Sequence, residues 1–216
     1  MLWEYAQNKK EARQFALPAQ KIINGIWLPS YSGLCVKLAY ERGLLRTAKR
    51  VILVEKDSDS FRQMEQNTTN IPRRQLLNCD LVEVKLDCQI DYAYLDFCGG
   101  INRVIARWIS GELSPHLASN ATICITQMLA KRNNKILSEQ DQFLRTEAGT
   151  CIRNAYGVLP LPYQRLLLLI HRLFNKWDFQ IEGKDGEIYK YADSVSTMLL
   201  LKLVNFRCSV TPFPGV

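Results

Sequence analysis

Apolar residues follow two patterns that alternate along the chain: short continuous runs and longer stretches at helical spacing. The run RVILV at 50–54 is almost entirely apolar, which is typical of a strand buried on both faces of a parallel sheet. The stretch 101–109 differs, because its large apolar residues recur at intervals of three and four. These residues share one helical face: Ile101, Val104, Ile105, Trp108 and Ile109. The pattern therefore predicts strands and helices in regular succession.

Applied to the whole chain, the same reasoning predicts an α/β protein with a mostly parallel sheet. The predicted strands are 21–29, 50–57, 73–84, 89–97 and 120–129. The predicted helices are 1–17, 32–45, 58–67, 100–111, 138–149 and 163–177. Strands that alternate with helices imply parallel pairing through right-handed crossovers. Residues 178–206 are rich in β-formers and contain the turn GKDGE but no helix, so we expect seven strands with an antiparallel hairpin at the C-terminal end.

Composition narrows the class of protein. The 216 residues are 47% hydrophobic and 23% charged, as in a soluble globular protein with one substantial core. We expect a single domain over 1–216, with a helical extension at 1–18 and a helical insertion at 136–177. The insertion is longer than a simple crossover requires, so we interpret it as a surface for a substrate, a protein partner or a second copy of the chain.

Two further features bear on location. No apolar run reaches the ~18 residues of a membrane span, and the first twenty residues lack the regions of a signal peptide. The seven cysteines are an odd number without a CxxC pair, which favours reduced thiols over disulfides or a zinc site. We therefore expect a cytoplasmic protein.

The net charge of +7 is concentrated early, because residues 1–50 hold nine Lys or Arg against three Glu. A basic surface suits RNA or DNA, although solvated lysine and arginine explain it as well. Candidate phosphate contacts lie before the third predicted strand and after the fifth. They are Arg73, Arg74, Lys131, Arg132 and Lys135. A solvated turn is the alternative for each cluster.

Acidic residues stand at the predicted carboxyl ends of three strands: Glu55, Asp80 and Asp96. Parallel α/β sheets bind ligands at this edge. A carboxylate there is costly unless it is hydrogen-bonded or solvated, so the pattern indicates a polar cleft. Glu55 also follows Gly33 by 22 residues. Dinucleotide-binding folds place the acid that holds ribose hydroxyls at a similar spacing, ~20 residues.

These features resemble the class I S-adenosylmethionine-dependent methyltransferases. The resemblance covers about residues 20–206 and rests on element order and strand-tip acids more than on sharp motifs. It implies S-adenosylmethionine as cofactor, with Glu55 on the ribose and Asp80 on the adenine. The loop LPSYSG would supply the other contacts, at Ser30, Tyr31, Ser32 and Gly33. That loop has one glycine, whereas the family usually has several.

The segment DFCGG at 96–100 has three interpretations. It is similar to the D-P-F-G of tRNA guanine N2 enzymes, which implies that Asp96 accepts hydrogen bonds from an exocyclic amine and Phe97 stacks on a flipped base. Alternatively, Cys98 is a nucleophile, as in cytosine-C5 methyltransferases. In a purely structural interpretation, Asp96 caps the helix that follows and the glycines turn the chain.

The resemblance implies a methyltransferase acting on nucleic acid, at a base exocyclic amine. No metal is required, because methyl transfer from a sulfonium needs an aligned acceptor rather than a Lewis acid. The alternative is a methyltransferase fold that has lost catalysis and serves as a nucleic-acid-binding or regulatory subunit. The single glycine of the loop favours this alternative, whereas the three strand-tip acids favour the enzyme.

Overall fold

The structure is a computed structural model that describes residues 2–97, 101–128, 161–182, 189–192 and 197–208. The described helices are α1 (Leu2–Ala16), α2 (Leu34–Glu41), α3 (Ser58–Asn67), α4 (Arg103–Trp108) and α5 (Leu161–Leu173). The strands are β1 (Asn24–Trp27), β2 (Arg50–Val54), β3 (Arg74–Leu77), β4 (Ile90–Asp96), β5 (Leu117–Met128), β6 (Trp177–Glu182), β7 (Tyr189–Ala192) and β8 (Thr197–Cys208).

The described strands form one sheet in the order β3-β2-β1-β4-β5-β8-β6, and β7 pairs with β8. Strands β1 to β5 pair in parallel. Strand β8 is antiparallel to β5, β6 and β7. Because β5 occupies one edge of β8, β6 and β7 follow one another along the other edge. The prediction of a mostly parallel seven-stranded sheet with an antiparallel C-terminal end is confirmed, with β7 as an additional short strand.

Apolar layers cover both faces of the sheet, as expected when parallel strands carry helices on either side. Helices α1, α2 and α3 pack on one face, against side chains that include Trp27, Tyr92 and Tyr94. Helices α4 and α5 pack on the other face, against side chains that include Ala93 and Leu95. Alternate residues of β4 therefore face opposite layers, which fixes the direction of every side chain along this strand.

Two carboxylates mark the two ends of β4. At the amino end, Asp91 accepts hydrogen bonds from the backbone N–H groups of Ile23 (3.0 Å) and Asn24 (2.9 Å). Burial raises the pKa of the Asp91 carboxyl, although these hydrogen bonds oppose the shift. Asp91 thus connects β4 to the start of β1 and has a structural role, whereas Asp96 lies at the opposite, carboxyl end of the strand.

Several elements differ in detail from the sequence-based expectation. Strand β3 ends at Leu77, and Asp80 instead begins the 3₁₀ turn Leu81–Glu83 by accepting from the N–H of Val82 (3.3 Å). Val104 does not join the buried face of its helix, because it is 56% exposed.

The cap of α4 corrects the structural interpretation of Asp96. The side chain of Asn102 accepts hydrogen bonds from the N–H groups of Val104 (3.0 Å) and Ile105 (2.9 Å). Asn102 therefore occupies the N-cap position of α4, and capping this helix does not explain the presence of Asp96.

Gly25 offers a test of the packing around Trp27. A Cβ at this position would lie 2.4 Å from the ring of Trp27. That ring is fully buried, and its centroid lies 5.3 Å from the centroid of the tilted Tyr92 ring. We expect Gly25→Ala to reduce the free energy of unfolding by about 1–3 kcal/mol through overpacking. Urea denaturation measures this loss.

Gly111 provides the matched control, because a Cβ there would meet no atom within 4 Å. Gly111→Ala should leave stability unchanged or raise it slightly, since alanine lowers the entropy of the unfolded chain. Equal stability of the two variants would contradict the packing described around Trp27.

Candidate active-site cleft

A cleft of about 520 Å³ opens at the carboxyl edge of the sheet. Its lining comes from the ends of β1, β2 and β4, the segment after β3, and the starts of α3 and α4. The residues are Leu28, Ser30, Val54, Glu55, Lys56, Ser60, Cys79, Asp80, Leu81, Asp96, Phe97, Asn102 and Ile105. The cleft spans β1 and β4, where the strand order reverses, which is where open α/β sheets bind ligands.

Glu55 and Asp80 form one wall of the cleft. One oxygen of Glu55, Oε1, accepts from the N–H of Asp57 at 2.9 Å. The Nζ of Lys56 lies 3.9 Å from Oδ2 of Asp80, and both side chains are substantially solvated. Asn78 braces this wall by donating to the backbone carbonyl of Glu55 at 2.8 Å. Oε2 of Glu55 thus remains available to a ligand. Asp80 uses Oδ1 for the N–H of Val82, and its Oδ2 has only the long contact with the solvated Lys56, which a ligand can displace.

The loop between β1 and α2 adopts a fixed turn despite its single glycine. Ser30 (φ 57°) and Gly33 (φ 62°) are both left-handed, and the N–H of Gly33 donates to the carbonyl of Ser30 at 3.2 Å. Asn67 holds the loop by donating to the carbonyl of Tyr31 at 2.9 Å. Ser30 lines the cleft, whereas Tyr31 is 55% exposed and, like Ser32 and Gly33, does not line it.

Asp96 has partners on two neighbouring elements. Its Oδ1 accepts a hydrogen bond from the hydroxyl of Thr126 on β5. Its Oδ2 lies 3.4 Å from Nη2 of Arg13, which reaches the strand tip from α1. Sequence reasoning missed Arg13. The sequence feature that could have indicated this residue is its position three residues before the buried Ala16. It lies on a helical face that otherwise packs small residues against the sheet.

No protein-family model and no curated protein matches this sequence. Solved structures do. The N-methyltransferase NodS from Bradyrhizobium japonicum WM9 is 11% identical, with 94% of this chain and 97% of that chain covered at a TM-score of 0.58. Its complex with S-adenosyl-L-homocysteine is also 11% identical, with 93% of this chain and 87% of that chain covered at a TM-score of 0.57. The 23S rRNA methyltransferase ErmE is 12% identical, with 97% of this chain and 70% of that chain covered at a TM-score of 0.54.

This chain has the fold of the class I S-adenosylmethionine-dependent methyltransferases. The resemblance inferred from element order and strand-tip acids is therefore confirmed at the level of the fold. Identities near a tenth carry no information about individual residues, so the roles of the cleft residues depend on their own geometry.

Within this methyltransferase fold, the structure brings together five of the residues singled out from the sequence. Ser30, Glu55, Asp80, Asp96 and Phe97 all line the same cleft. Cys98, proposed as a nucleophile, lies outside the described residues. So do Lys131, Arg132, Lys135 and most of the 136–177 insertion.

Arg73 and Arg74 lie at the amino end of β3, the sheet edge opposite the cleft. Arg73 donates to the carbonyl of Ala48 (3.0 Å), and Arg74 donates to the carbonyl of Glu65 (2.6 Å). They brace the strand and do not line the cleft. Their contact with nucleic acid stays a prediction.

The described cysteines near the cleft are poor nucleophiles. Partial burial, with the nearby charges of Glu83 and Asp80, raises the pKa of the Cys79 thiol. Burial raises the pKa of Cys35, which lies behind Asp96, to about 12 despite the nearby charge of Arg13. Both thiols therefore stay protonated near neutral pH.

Among the described helices, none combines the length and apolar character needed to cross a membrane.

Proposed function

We propose that this chain is an S-adenosylmethionine-dependent methyltransferase that acts on nucleic acid, at a base exocyclic amine. The observation that carries the proposal is the convergence of Glu55, Asp80 and Asp96 on one cleft at the point where the strand order reverses. Glu55 and Asp96 lie at the ends of β2 and β4, and Asp80 caps the turn after β3. A structural role alone would not require all three acids to face the same cavity.

The cleft fits the cofactor in size and in chemistry. Its volume of about 520 Å³ lies within the range of about 300–1,000 Å³ for small-molecule sites. Glu55 would accept hydrogen bonds from ribose hydroxyls, and Asp80 from the adenine amino group. The exposed Tyr31 leaves the cleft open, which supports cofactor binding despite the single glycine.

S-adenosylmethionine, when bound, would supply a methyl group on a sulfonium. The lone pair of the amine nitrogen would form the new N–C bond, the C–S electron pair would stay on sulfur, and one N–H proton would pass to solvent. The chain's part is to hold the acceptor. Asp96 would accept hydrogen bonds from the amine, and Phe97 beside it would contact the base. The net charge of +7 and the fold shared with an rRNA methyltransferase, ErmE, support nucleic acid as the substrate.

A second candidate is a binding or regulatory module that no longer catalyses transfer. Two observations favour it: the loop keeps only Gly33, and both oxygens of Asp96 already have partners within the chain. In this case the protein would bind nucleic acid without binding the cofactor.

One experiment separates the two candidates. The purified chain is incubated with S-adenosylmethionine labelled in the methyl group and with total cellular RNA or genomic DNA, which is then digested to nucleosides and analysed by mass spectrometry. We expect a labelled N-methyl nucleoside, and micromolar cofactor binding by calorimetry. Retention of nucleic acid without cofactor binding at millimolar concentration would instead support the binding module.

A further inference from the structure

The pair between Arg13 and Asp96 is the least expected feature of the cleft. The two residues are 83 positions apart, and their side chains are only 11% and 14% exposed. Asp96 lines the cleft, whereas Arg13 approaches from behind it. Since Thr126 donates to the other carboxylate oxygen, two donors from two elements fix the plane of this one carboxylate.

Anchoring of α1 does not explain the arginine. Ala12 and Ala16 are fully buried against the sheet. The carbonyl of Ala16 also accepts from the hydroxyl of Tyr92 (3.3 Å) and the thiol of Cys124 (3.0 Å). Helix α1 is therefore held by other contacts, and a buried guanidinium adds a desolvation cost that an apolar side chain would avoid.

We propose that Arg13 is a positioning residue for Asp96, so that α1 is part of the active site rather than an extension to the domain. A carboxylate offers about four lone-pair positions, and Arg13 and Thr126 occupy one on each oxygen. The remaining positions face the cleft, where they accept from the amine. This inference rests on the proposed methyltransferase function.

The experiment compares Arg13→Met, which keeps the stem but removes the charge, with Arg13→Lys. Arg50→Met is the matched control, because Arg50 also pairs with an aspartate, Asp87, but at the amino end of β2. Transfer of labelled methyl to total RNA or genomic DNA is measured at saturating substrate, and S-adenosylhomocysteine affinity is measured by calorimetry.

We expect Arg13→Met to lower the maximal rate by about 10²-fold, the scale of a misplaced catalytic group. Affinity for S-adenosylhomocysteine should change less than about threefold, and Arg13→Lys should recover at least about a tenth of the wild-type rate. In an Asp96→Asn background, Arg13→Met should cause no further loss. Arg50→Met should match wild type.

A readout without cofactor tests the pair itself. Thermal midpoints of Arg13→Met, Asp96→Asn and the double variant form a cycle. We expect the thermal midpoint of the double variant to fall by clearly less than the sum of the decreases in the two single variants. Strictly additive decreases would overturn the pairing.

The two levels of failure are distinguishable. If wild type transfers methyl groups and Arg13→Met is as active as Arg50→Met, the positioning role is overturned and the methyltransferase stands. An equal loss of rate and of S-adenosylhomocysteine affinity would also overturn it, because Arg13 would then serve the cofactor. If wild type neither binds S-adenosylmethionine nor transfers a methyl group, the proposed function fails and this inference fails with it.

Discussion

We expect Asp96→Asn to lower the rate of methyl transfer by about 10³-fold, equivalent to about 4 kcal/mol of transition-state stabilisation. The carboxylate presents only acceptors, whereas an amide presents one acceptor oxygen and an NH₂ donor. In the variant, the remaining oxygen is held by Arg13 or Thr126. A donor would then face the hydrogens of the acceptor amine, and the amine would lose its alignment.

Asparagine is the better choice than alanine at this position because of Arg13. Removal of the whole side chain would take the carboxylate partner from a guanidinium that is 11% exposed, so a loss of folding would obscure a loss of catalysis. The rate is measured by label transfer, and thermal denaturation verifies the fold.

Asp91→Asn is the control for Asp96→Asn. Asp91 lies at the other end of the same strand, where its oxygens accept from two backbone N–H groups, and an asparagine oxygen can still accept there. We expect this variant to retain wild-type activity. Wild-type rates in Asp96→Asn would refute the assignment of Asp96 to the acceptor.

The sheet could be predicted because its strands carry strong local signals. The continuous apolar run RVILV at 50–54 does not fit the pattern of a surface helix. The acids near the carboxyl ends of the strands indicate the edge where a ligand binds. The predicted ends of the strands are less accurate. The pattern predicts Asp80 at the end of a strand, but its side chain caps the turn after Asn78 and Cys79, so β3 ends earlier. A local cap here competes with β-propensity, and pattern alone does not resolve the competition.

The partners of Asp96 could not be predicted in the same way. Arg13 and Thr126 reach it from 83 positions before and 30 positions after, through the packing of α1 on the sheet and the register of β4 with β5. Neither distance is encoded in a local motif. The cap at Asn102 has a local signal, since asparagine directly precedes a helical apolar pattern, but the acid at the strand tip competes with it as a candidate cap. Long-range contacts therefore decided the chemistry of the site.

The second large effect is expected at Glu55, where Glu55→Gln should weaken S-adenosylmethionine binding by about 10²-fold, or about 3 kcal/mol. Oε1 of Glu55 is engaged by the N–H of Asp57, so Oε2 is the oxygen that remains for ribose hydroxyls. Glutamine can keep its single oxygen on Asp57, which preserves the start of α3. Its NH₂ group then replaces the acceptor that faces the cleft.

Calorimetric titration with S-adenosylmethionine measures this change, and Glu83→Gln is the matched control. Glu83 is exposed in the turn that Asp80 caps, beside the cleft but not part of its lining, so it adds similar negative charge without a ligand contact. If both variants weaken binding equally, the effect of Glu55 is general electrostatics rather than a hydrogen bond to the ribose. If only Glu55→Gln weakens it, and 2′-deoxy analogues of the cofactor lose affinity for wild type but not for the variant, the carboxylate contacts the ribose directly.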